Sequence, residues 1–383
     1  MTKYIFYVLN TIRQKKHLES PPLLGRIHSE QDEKNMGKKE NLITGIDIGS
    51  HAVKICQLQK TGKGYKLLAV GSMTIPPGSV EDGVLQEPDE VGKAIAALLK
   101  NLKIKNTKIG ISISGYSVIV KKINLETMDD EALTEYIKAE AEQYIPFDID
   151  DVYLDFQKLP PKRERSDQIE VMLVAAKKEV INDYLNMLHN LKLKTVLVDV
   201  DGFALENIWE TTTDVPGNVA LVDIGASKMN INIISEGVSV LARDIVVGSD
   251  QLTEQLANAL EIEYQEAEKI KLGLIPAEEQ REKIEDIFTR TCTQWVLEIK
   301  KAIDLYLANN PDKPLVSLVL SGGGSKVSGL QKYIQRETNL PVIAFNPFQN
   351  MICDEKKFDR EYLESIAPEM AIATGLAIRP AAF

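Results

Sequence analysis

The chain of 383 residues is long enough for two domains or one bilobed fold, and its 44% hydrophobic and 26% charged residues are ordinary for a globular protein. Its formal net charge of −11 argues against nucleic acid as the main ligand. No apolar run approaches the roughly 20 residues that span a bilayer, and three separated cysteines without a C-x-x-C pair favour a reducing compartment and no zinc site.

Residues 1–40 differ in character from the rest of the chain. The apolar run at residues 4–9 is too short to cross a membrane and lacks the cleavage site of a signal peptide, although it could lie on a membrane surface as an amphipathic anchor. The alternative, which we favour, is that translation begins at Met36. Because the segment shows no hydrophobic periodicity, we expect residues 1–40 to be disordered or spurious.

The first predicted strands, over residues 42–75, form a β-meander. Within it, residues 45–50 read Gly-Ile-Asp-Ile-Gly-Ser, a pattern of a buried strand that breaks at a small-residue turn before an alternating strand resumes. Residues 89–102 are predicted to be helical because their apolar side chains recur on one face, and a buried strand follows over residues 109–113.

Residues 116–191 are predicted to form an inserted α+β unit in the order strand, helix, strand, strand, helix. The first helix follows a capping-box-like start at Thr127 and is stopped by Pro146. The second helix is marked by apolar residues at helical spacing over residues 180–188.

The remaining chain returns to a core strand at residues 194–199, followed by a helix and a second turn motif, in which residues 222–227 read Val-Asp-Ile-Gly-Ala-Ser. Residues 251–310 are predicted to be helical, with an apolar stripe that indicates a core rather than a partner groove. An apolar strand then ends in three glycines within residues 318–325. Small residues over 369–379 predict a final helix that packs closely at a hinge between two lobes.

The repeated Asp-x-Gly motif has a chemistry suited to phosphate. Glycine lets the backbone tighten, so that successive N–H groups point at one anion, and the aspartate can hold Mg²⁺ or a water beside it. A single copy is better interpreted as an ordinary turn between strands. Two copies facing each other would clamp a triphosphate, and the glycine-rich element would let a flat base or ribose approach closely.

These three elements, in this order, resemble the first phosphate loop, second phosphate loop and adenosine loop of the actin/Hsp70/sugar-kinase ATPase superfamily. The insertion lies where the cell-division protein FtsA carries its extra subdomain. Residues 140–147, the Asp-Phe pair at 155–156 and residues 367–379 resemble the type IV pilus assembly ATPase family PilM.

The resemblance implies an α/β, bilobed actin-like (ribonuclease H-like) ATPase fold with a small inserted α+β subdomain of the SHS2 type. It divides the chain into a first lobe of residues 41–115, 192–213 and 365–383, an insertion of residues 116–191, a second lobe of residues 214–247 and 311–364, and a helical subdomain of residues 248–310.

The resemblance also implies site residues around ATP and Mg²⁺. Asp47 would hold the metal with its waters, and Asp223 would do the same from the other lobe. Lys54 matches the family's phosphate-binding lysine, the alternative being a solvent-facing lysine on an alternating strand. His51 is bulkier than the expected Ser or Thr, so its ring should point away from the nucleotide. The backbone contacts to phosphate would come from the two turns: Gly49, Ser50, His51, Gly225, Ala226 and Ser227.

Further implied positions concern hydrolysis and the nucleoside. Asp201 occupies about the place of the superfamily's water-orienting residue, and Asp199 is too close in sequence to be separated from it. Glu268 and Lys271 match positions that flank adenosine, and an exposed helical pair is an equally good interpretation of them. The nucleoside would be lined by Gly322, Gly323 and Gly324.

The implied function is a cytoplasmic ATP-binding scaffold for type IV pilus assembly that hydrolyses ATP slowly at most. Its partner would be the N-terminal cytoplasmic peptide of a PilN-like inner-membrane protein, bound between the first lobe and the insertion, so that membrane contact is indirect. Self-association is possible, and no nucleic acid is expected. Two alternatives stay open: an FtsA-like filament-forming protein, and a small-molecule kinase that uses Asp199 or Asp201 as its base.

Overall fold

The computed structural model describes residues 40–159, 167–213 and 217–379. The predictions for the N-terminal extension therefore fall outside the described residues, apart from Glu40, which begins the first strand.

The described strands are, in chain order, β1 (Glu40–Ile48), β2 (Ala52–Thr61), β3 (Gly64–Thr74), β4 (Val80–Glu81), β5 (Val84–Leu85), β6 (Lys108–Ile113), β7 (Val118–Glu126), β8 (Val152–Lys158), β9 (Gln168–Lys177), β10 (Lys194–Val200), β11 (Asn218–Ile224), β12 (Met229–Ser235), β13 (Val238–Ile245), β14 (Leu315–Ser321) and β15 (Val342–Ala344).

The described α-helices are α1 (Pro88–Asn101), α2 (Asp130–Glu140), α3 (Lys178–Asn190), α4 (Asp201–Thr212), α5 (Asp250–Leu260), α6 (Tyr264–Lys271), α7 (Arg281–Asn309), α8 (Leu330–Thr338), α9 (Arg360–Ile366) and α10 (Ala371–Ala377).

Two five-stranded sheets repeat one topology. The first has the order β10-β6-β1-β2-β3, in which β1, β2 and β3 are antiparallel neighbours and β6 and β10 run parallel to β1. The second has the order β15-β14-β11-β12-β13 with the same pattern of directions. The predicted bilobed α/β fold is confirmed. The repeat explains why the two Asp-x-Gly turns occupy equivalent places: each joins the first two strands of its sheet.

A three-stranded antiparallel sheet, β7-β9-β8, lies between β6 and β10 in the chain. Helix α2 packs on it around a core that includes Leu133 and Ile137, and its N-terminus is capped by Asp129, whose side chain accepts a hydrogen bond from the Ala132 N–H. Helix α3 packs on a different core. The buried face of α3, with Ile181 and Leu188, joins the core of the first five-stranded sheet and packs against α1.

The predicted continuous helical region of residues 251–310 is divided into α5, α6 and α7. Glu261 ends α5 in a left-handed conformation with φ 57°, and Gly273 with φ 70° follows α6 shortly before Pro276. The apolar stripe of these helices packs on the second sheet, and Trp295 and Ile299 are fully buried there. The prediction that this stripe belongs to the core is confirmed.

Helix α10 is shorter than predicted, because Pro368 lies in a 3₁₀ turn that precedes it. Its small residues let it pack very close to the first sheet and to α4. A Cβ atom at Gly375 would lie 1.9 Å from the carbonyl oxygen of Ala204, and one at Gly45 would lie 2.1 Å from that of Ala373. Glycine is therefore required at both positions for this packing. Among the described helices, none combines the length and apolar character that crossing a bilayer requires.

Candidate functional site

The β1–β2 turn and the β11–β12 turn meet across a cleft between the two lobes. The hydroxyl of Ser50 donates a hydrogen bond of 2.9 Å to the hydroxyl of Ser227, so the turns touch directly. Asp47 and Asp223 lie at equivalent positions just before these turns, and both line the same cavity. The structure thus brings together the two motifs that the sequence places 176 residues apart.

Asp47 forms an ion pair with Lys54, its direct neighbour across β1 and β2, with 3.0 Å between Oδ2 and Nζ. Their side chains are only 9% and 18% exposed, so Lys54 is not the solvent-facing lysine of the alternative interpretation. Burial raises the pKa of Asp47, and Lys54 offsets this only in part. Although burial, the largest single influence, would lower the pKa of Lys54, the charge of Asp47, the hydrogen bond to it and the charges of Asp223 and Glu369 together raise that pKa.

Asp223 accepts a hydrogen bond of 2.7 Å from the hydroxyl of Ser321, on the neighbouring strand β14. Burial raises the pKa of Asp223 to about 6, against the opposing effect of Ser321. The ionised form of a partly desolvated carboxylate of this kind is stabilised when a cation binds beside it. Asp47 and Asp223 therefore suit a divalent cation, and the described residues contain no cluster of three or more His, Cys, Asp or Glu side chains that would hold a metal alone. Two carboxylates with further ligands from phosphate and water fit Mg²⁺.

Contrary to the prediction, the N–H groups of the glycines in the two turns are not directed at a ligand in the cavity. The Gly49 N–H donates to the carbonyl oxygen of Ala52 at 3.1 Å, and the Gly225 N–H donates to that of Lys228 at 2.8 Å. Both groups therefore close their own hairpins. Several predicted turn residues nevertheless line the cavity: Gly49, Ser50, His51, Gly225, Ala226 and Ser227.

The second turn is held by the start of α5. The N–H groups of Ser249 and Asp250 donate to the carbonyl oxygens of Gly225 and Ala226, each at 2.9 Å. A Cβ atom at Gly248 would lie 2.1 Å from the Ala226 carbonyl oxygen, so the approach of these segments depends on that glycine. The second turn is therefore held both by the hydrogen bond that closes its own hairpin and by the hydrogen bonds from the start of α5.

The structure distinguishes the roles of Asp199 and Asp201, which the sequence alone left open. Asp201 lines the cavity, accepts a hydrogen bond from Ser114 and lies 3.6 Å from Nζ of Lys228. Burial by itself would raise the pKa of Asp201, but Lys228 and the hydroxyls of Ser112 and Ser114 lower it below its ordinary value. Asp199 is fully buried in an ion pair with Arg379 at 2.9 Å and is not among the cavity-lining residues.

Glu268 also lines the cavity, and its carboxylate accepts a hydrogen bond from Lys271 at 2.6 Å. The side chain of Lys271 is only 2% exposed and also reaches the Ser249 carbonyl oxygen, so these two residues are not an exposed helical pair. Gly323 and Gly324 line the cavity. Gly322, with φ 83°, does not: a Cβ atom there would lie 2.3 Å from the Ile224 carbonyl oxygen, which makes this glycine a packing residue.

Sequence reasoning missed four charged residues of the cavity: Lys228, Asp250, Lys326 and Glu369. Lys326 and Glu369 form an ion pair of 3.3 Å beside the glycine-rich segment. Lys228 directly follows the second turn motif. A lysine next to a turn that is predicted to bind phosphate suits an anionic ligand, so this position could have marked Lys228 as a site residue. Its partner in the other lobe could not be read from the sequence.

Comparison with known proteins identifies the family to which this chain belongs. The family model described as type IV pilus assembly protein PilM matches residues 45–381. The chain belongs to the PilM family. A solved structure described as the PilM-PilN type IV pilus biogenesis complex matches with a TM-score of 0.78 and 26% identity, over 88% of this chain and 98% of that one.

A more distant match supports the fold alone. The ethanolamine utilization protein EutJ from Carboxydothermus hydrogenoformans is 14% identical, with a TM-score of 0.52 over 89% of each chain. The PilM family assignment and the actin-like fold therefore agree with the sequence-based resemblance.

Proposed function

We propose that this member of the PilM family is a scaffold for type IV pilus assembly that binds ATP with Mg²⁺ between its lobes. One observation carries the nucleotide proposal: Asp47 and Asp223, at equivalent places in two sheets of the same topology, line one cavity whose two turns touch through Ser50 and Ser227. A cavity lined by carboxylates and lysines from both lobes suits a metal-bound phosphate chain better than an uncharged ligand.

In this proposal each part of the cavity has a defined task. Asp47 and Asp223 hold Mg²⁺, which neutralises phosphate charge when bound. Lys54, already beside Asp47, supplies a point charge to a phosphate oxygen. The nucleoside lies toward Gly323 and Gly324, near the Glu268 carboxylate.

Hydrolysis is proposed to be slow at most. A water must be aligned with the γ-phosphate, and Asp201 is the cavity carboxylate placed to do this. Its side chain is short, and Ser114 and Lys228 already engage its Oδ2 atom. A binding and positioning role for the nucleotide therefore suits the site better than rapid turnover.

The proposed partner is the N-terminal cytoplasmic peptide of a PilN-like inner-membrane protein. This rests on the family and on the similarity to a chain solved as a PilM-PilN complex. We place the peptide between the first lobe and the insertion, where the chain leaves β6 of the first sheet after Ile113 and enters β7. The protein would then lie at the inner face of the inner membrane through its partner.

Nucleotide binding is tested by calorimetric titration of the purified full chain with ATP. With Mg²⁺ present we expect one site per chain, because the two carboxylates require a cation before they can lie beside phosphates. Chelation of the metal with EDTA should reduce the affinity at least about tenfold, corresponding to about 1.4 kcal/mol. Equal affinity with and without Mg²⁺ would contradict the two-carboxylate site.

Partner binding is tested separately with a synthetic peptide of the N-terminal cytoplasmic residues of the PilN-like protein from the same genome, labelled with a fluorophore. We expect saturable binding by fluorescence anisotropy, because an extended peptide gains backbone and apolar contacts in a preformed groove. A scrambled peptide of the same composition is the matched control. Equal binding of both peptides would contradict the partner assignment and leave the nucleotide proposal unaffected.

A further inference from the structure

Lys228 lines the cavity and connects the two lobes. It belongs to the second lobe, between the second turn and β12, and its ammonium group reaches the first lobe. There Nζ lies 3.6 Å from Oδ2 of Asp201 and donates a hydrogen bond to the hydroxyl of Ser114. Ser114 in turn donates to the same Oδ2 atom. The three side chains form a closed cluster, which we call the Lys228 cluster.

The Lys228 cluster is partly shielded from water. The side chain of Lys228 is 24% exposed and that of Asp201 is 13% exposed. Charges in such surroundings are screened less than surface charges, so the pairing constrains Asp201 more than a surface ion pair would. Asp201 is also the first residue of α4, and the backbone therefore restricts where its carboxylate can go.

The chemistry of hydrolysis conflicts with this pairing. A water oxygen must bond to the γ-phosphorus while the bond to the bridging oxygen breaks and its electron pair leaves with ADP. One proton of that water is accepted by a base and passes to solvent. A carboxylate oxygen that already accepts from a hydroxyl and faces an ammonium group is a poor acceptor for the proton of a water.

We propose that Lys228 is a positioning residue that holds the Asp201 carboxylate in a resting arrangement, so that bound ATP is retained rather than hydrolysed. This inference rests on the proposed function, since it takes ATP as the ligand of the cavity. In this inference the ammonium group of Lys228 acts on the Asp201 carboxylate and does not bind a phosphate directly. The retention of ATP is then a property built into the contact between the lobes.

The test compares Lys228→Met with the unaltered protein in two measurements: phosphate release at saturating ATP and Mg²⁺, and the affinity for a non-hydrolysable ATP analogue. Methionine is unbranched like lysine and only one heavy atom shorter, and it removes the charge. We expect the turnover number to rise about tenfold, which is less than the roughly 100-fold at the lower edge of what a positioned acid or base contributes. The affinity for the analogue should stay within about threefold, which is under 1 kcal/mol.

Three further variants make the result specific. Lys228→Arg should restore slow turnover, because it keeps a cation at the same place. Lys228→Met combined with Asp201→Asn should lose the increase, because the freed carboxylate is gone. Lys313→Met removes a second-lobe lysine whose partner is Glu236 and which lies outside the cavity lining, so it should change neither quantity.

Each outcome decides between distinct roles. A fall of tenfold or more in analogue affinity without faster turnover would make Lys228 a phosphate ligand and overturn the inference. Unchanged turnover in a folded Lys228→Met variant would overturn it as well. If that variant fails to fold, Lys228→Gln carries the same test, since its amide can still donate to Ser114. Failure of the unaltered protein to bind ATP would instead reject the proposed function.

Discussion

Asp47→Asn is expected to lower Mg²⁺-dependent ATP affinity about 100-fold, corresponding to about 3 kcal/mol. The substitution keeps the size of the side chain and removes the charge that would face the metal. It also leaves Lys54 next to the position, so a loss of affinity cannot come from loss of the lysine. Calorimetric titration with ATP and Mg²⁺ measures the effect, and thermal unfolding without nucleotide checks that the fold is intact.

The matched control for this substitution is Asp130→Asn. Asp130 also forms an ion pair with a lysine, Lys158, but it begins α2 in the insertion, and its side chain is 70% exposed. We expect no change in ATP affinity in this variant. Unchanged affinity in Asp47→Asn itself would refute the assignment of Asp47 to the metal.

Arg379→Met is expected to destabilise the protein by about 3–5 kcal/mol, because it leaves the Asp199 carboxylate buried without its ion-pair partner. The guanidinium Nη2 lies 2.9 Å from Oδ2 of Asp199, and the two side chains are 7% and 0% exposed. The pair joins the chain just after α10 to the end of β10. Equilibrium unfolding in urea measures the loss.

Two controls identify the source of this loss. Arg290→Met breaks an exposed pair with Asp286, whose side chains are 68% and 66% exposed, and should cost less than about 1 kcal/mol. The double variant Arg379→Met with Asp199→Asn should lose less than the sum of the two single variants, because the partners act as a unit. A loss of under about 1 kcal/mol for Arg379→Met would contradict a structural role for this pair.

Much of the candidate site could be predicted from local patterns. Asp47 and Asp223 each precede a glycine turn after an apolar strand, and this pattern depends only on neighbouring residues. The same is true of Gly323 and Gly324 after β14. All four residues line the cavity. The resemblance to a family then supplied the order of these elements, which periodicity alone does not connect.

Other roles depended on contacts that no local pattern contains. Gly49 carries the expected motif, yet its N–H closes its own hairpin. Helix α3 was predicted as part of the insertion from its place in the chain, but its apolar face packs into the first-lobe core beside α1. Lys228 stands beside a predicted turn, and only the approach of the lobes brings it to Asp201.

The amino-acid sequence by itself determined the elements that depend on near neighbours: two strand–turn–strand motifs with their aspartates, a glycine-rich strand end, and the alternation of strands and amphipathic helices. Only the tertiary structure decided between Asp199 and Asp201. The first is the penultimate residue of β10 and meets Arg379, which is 180 residues away, whereas the second begins α4 and faces the cavity. The physical reason is that β10 ends between them, so the two carboxylates leave the backbone in different directions although one residue separates them.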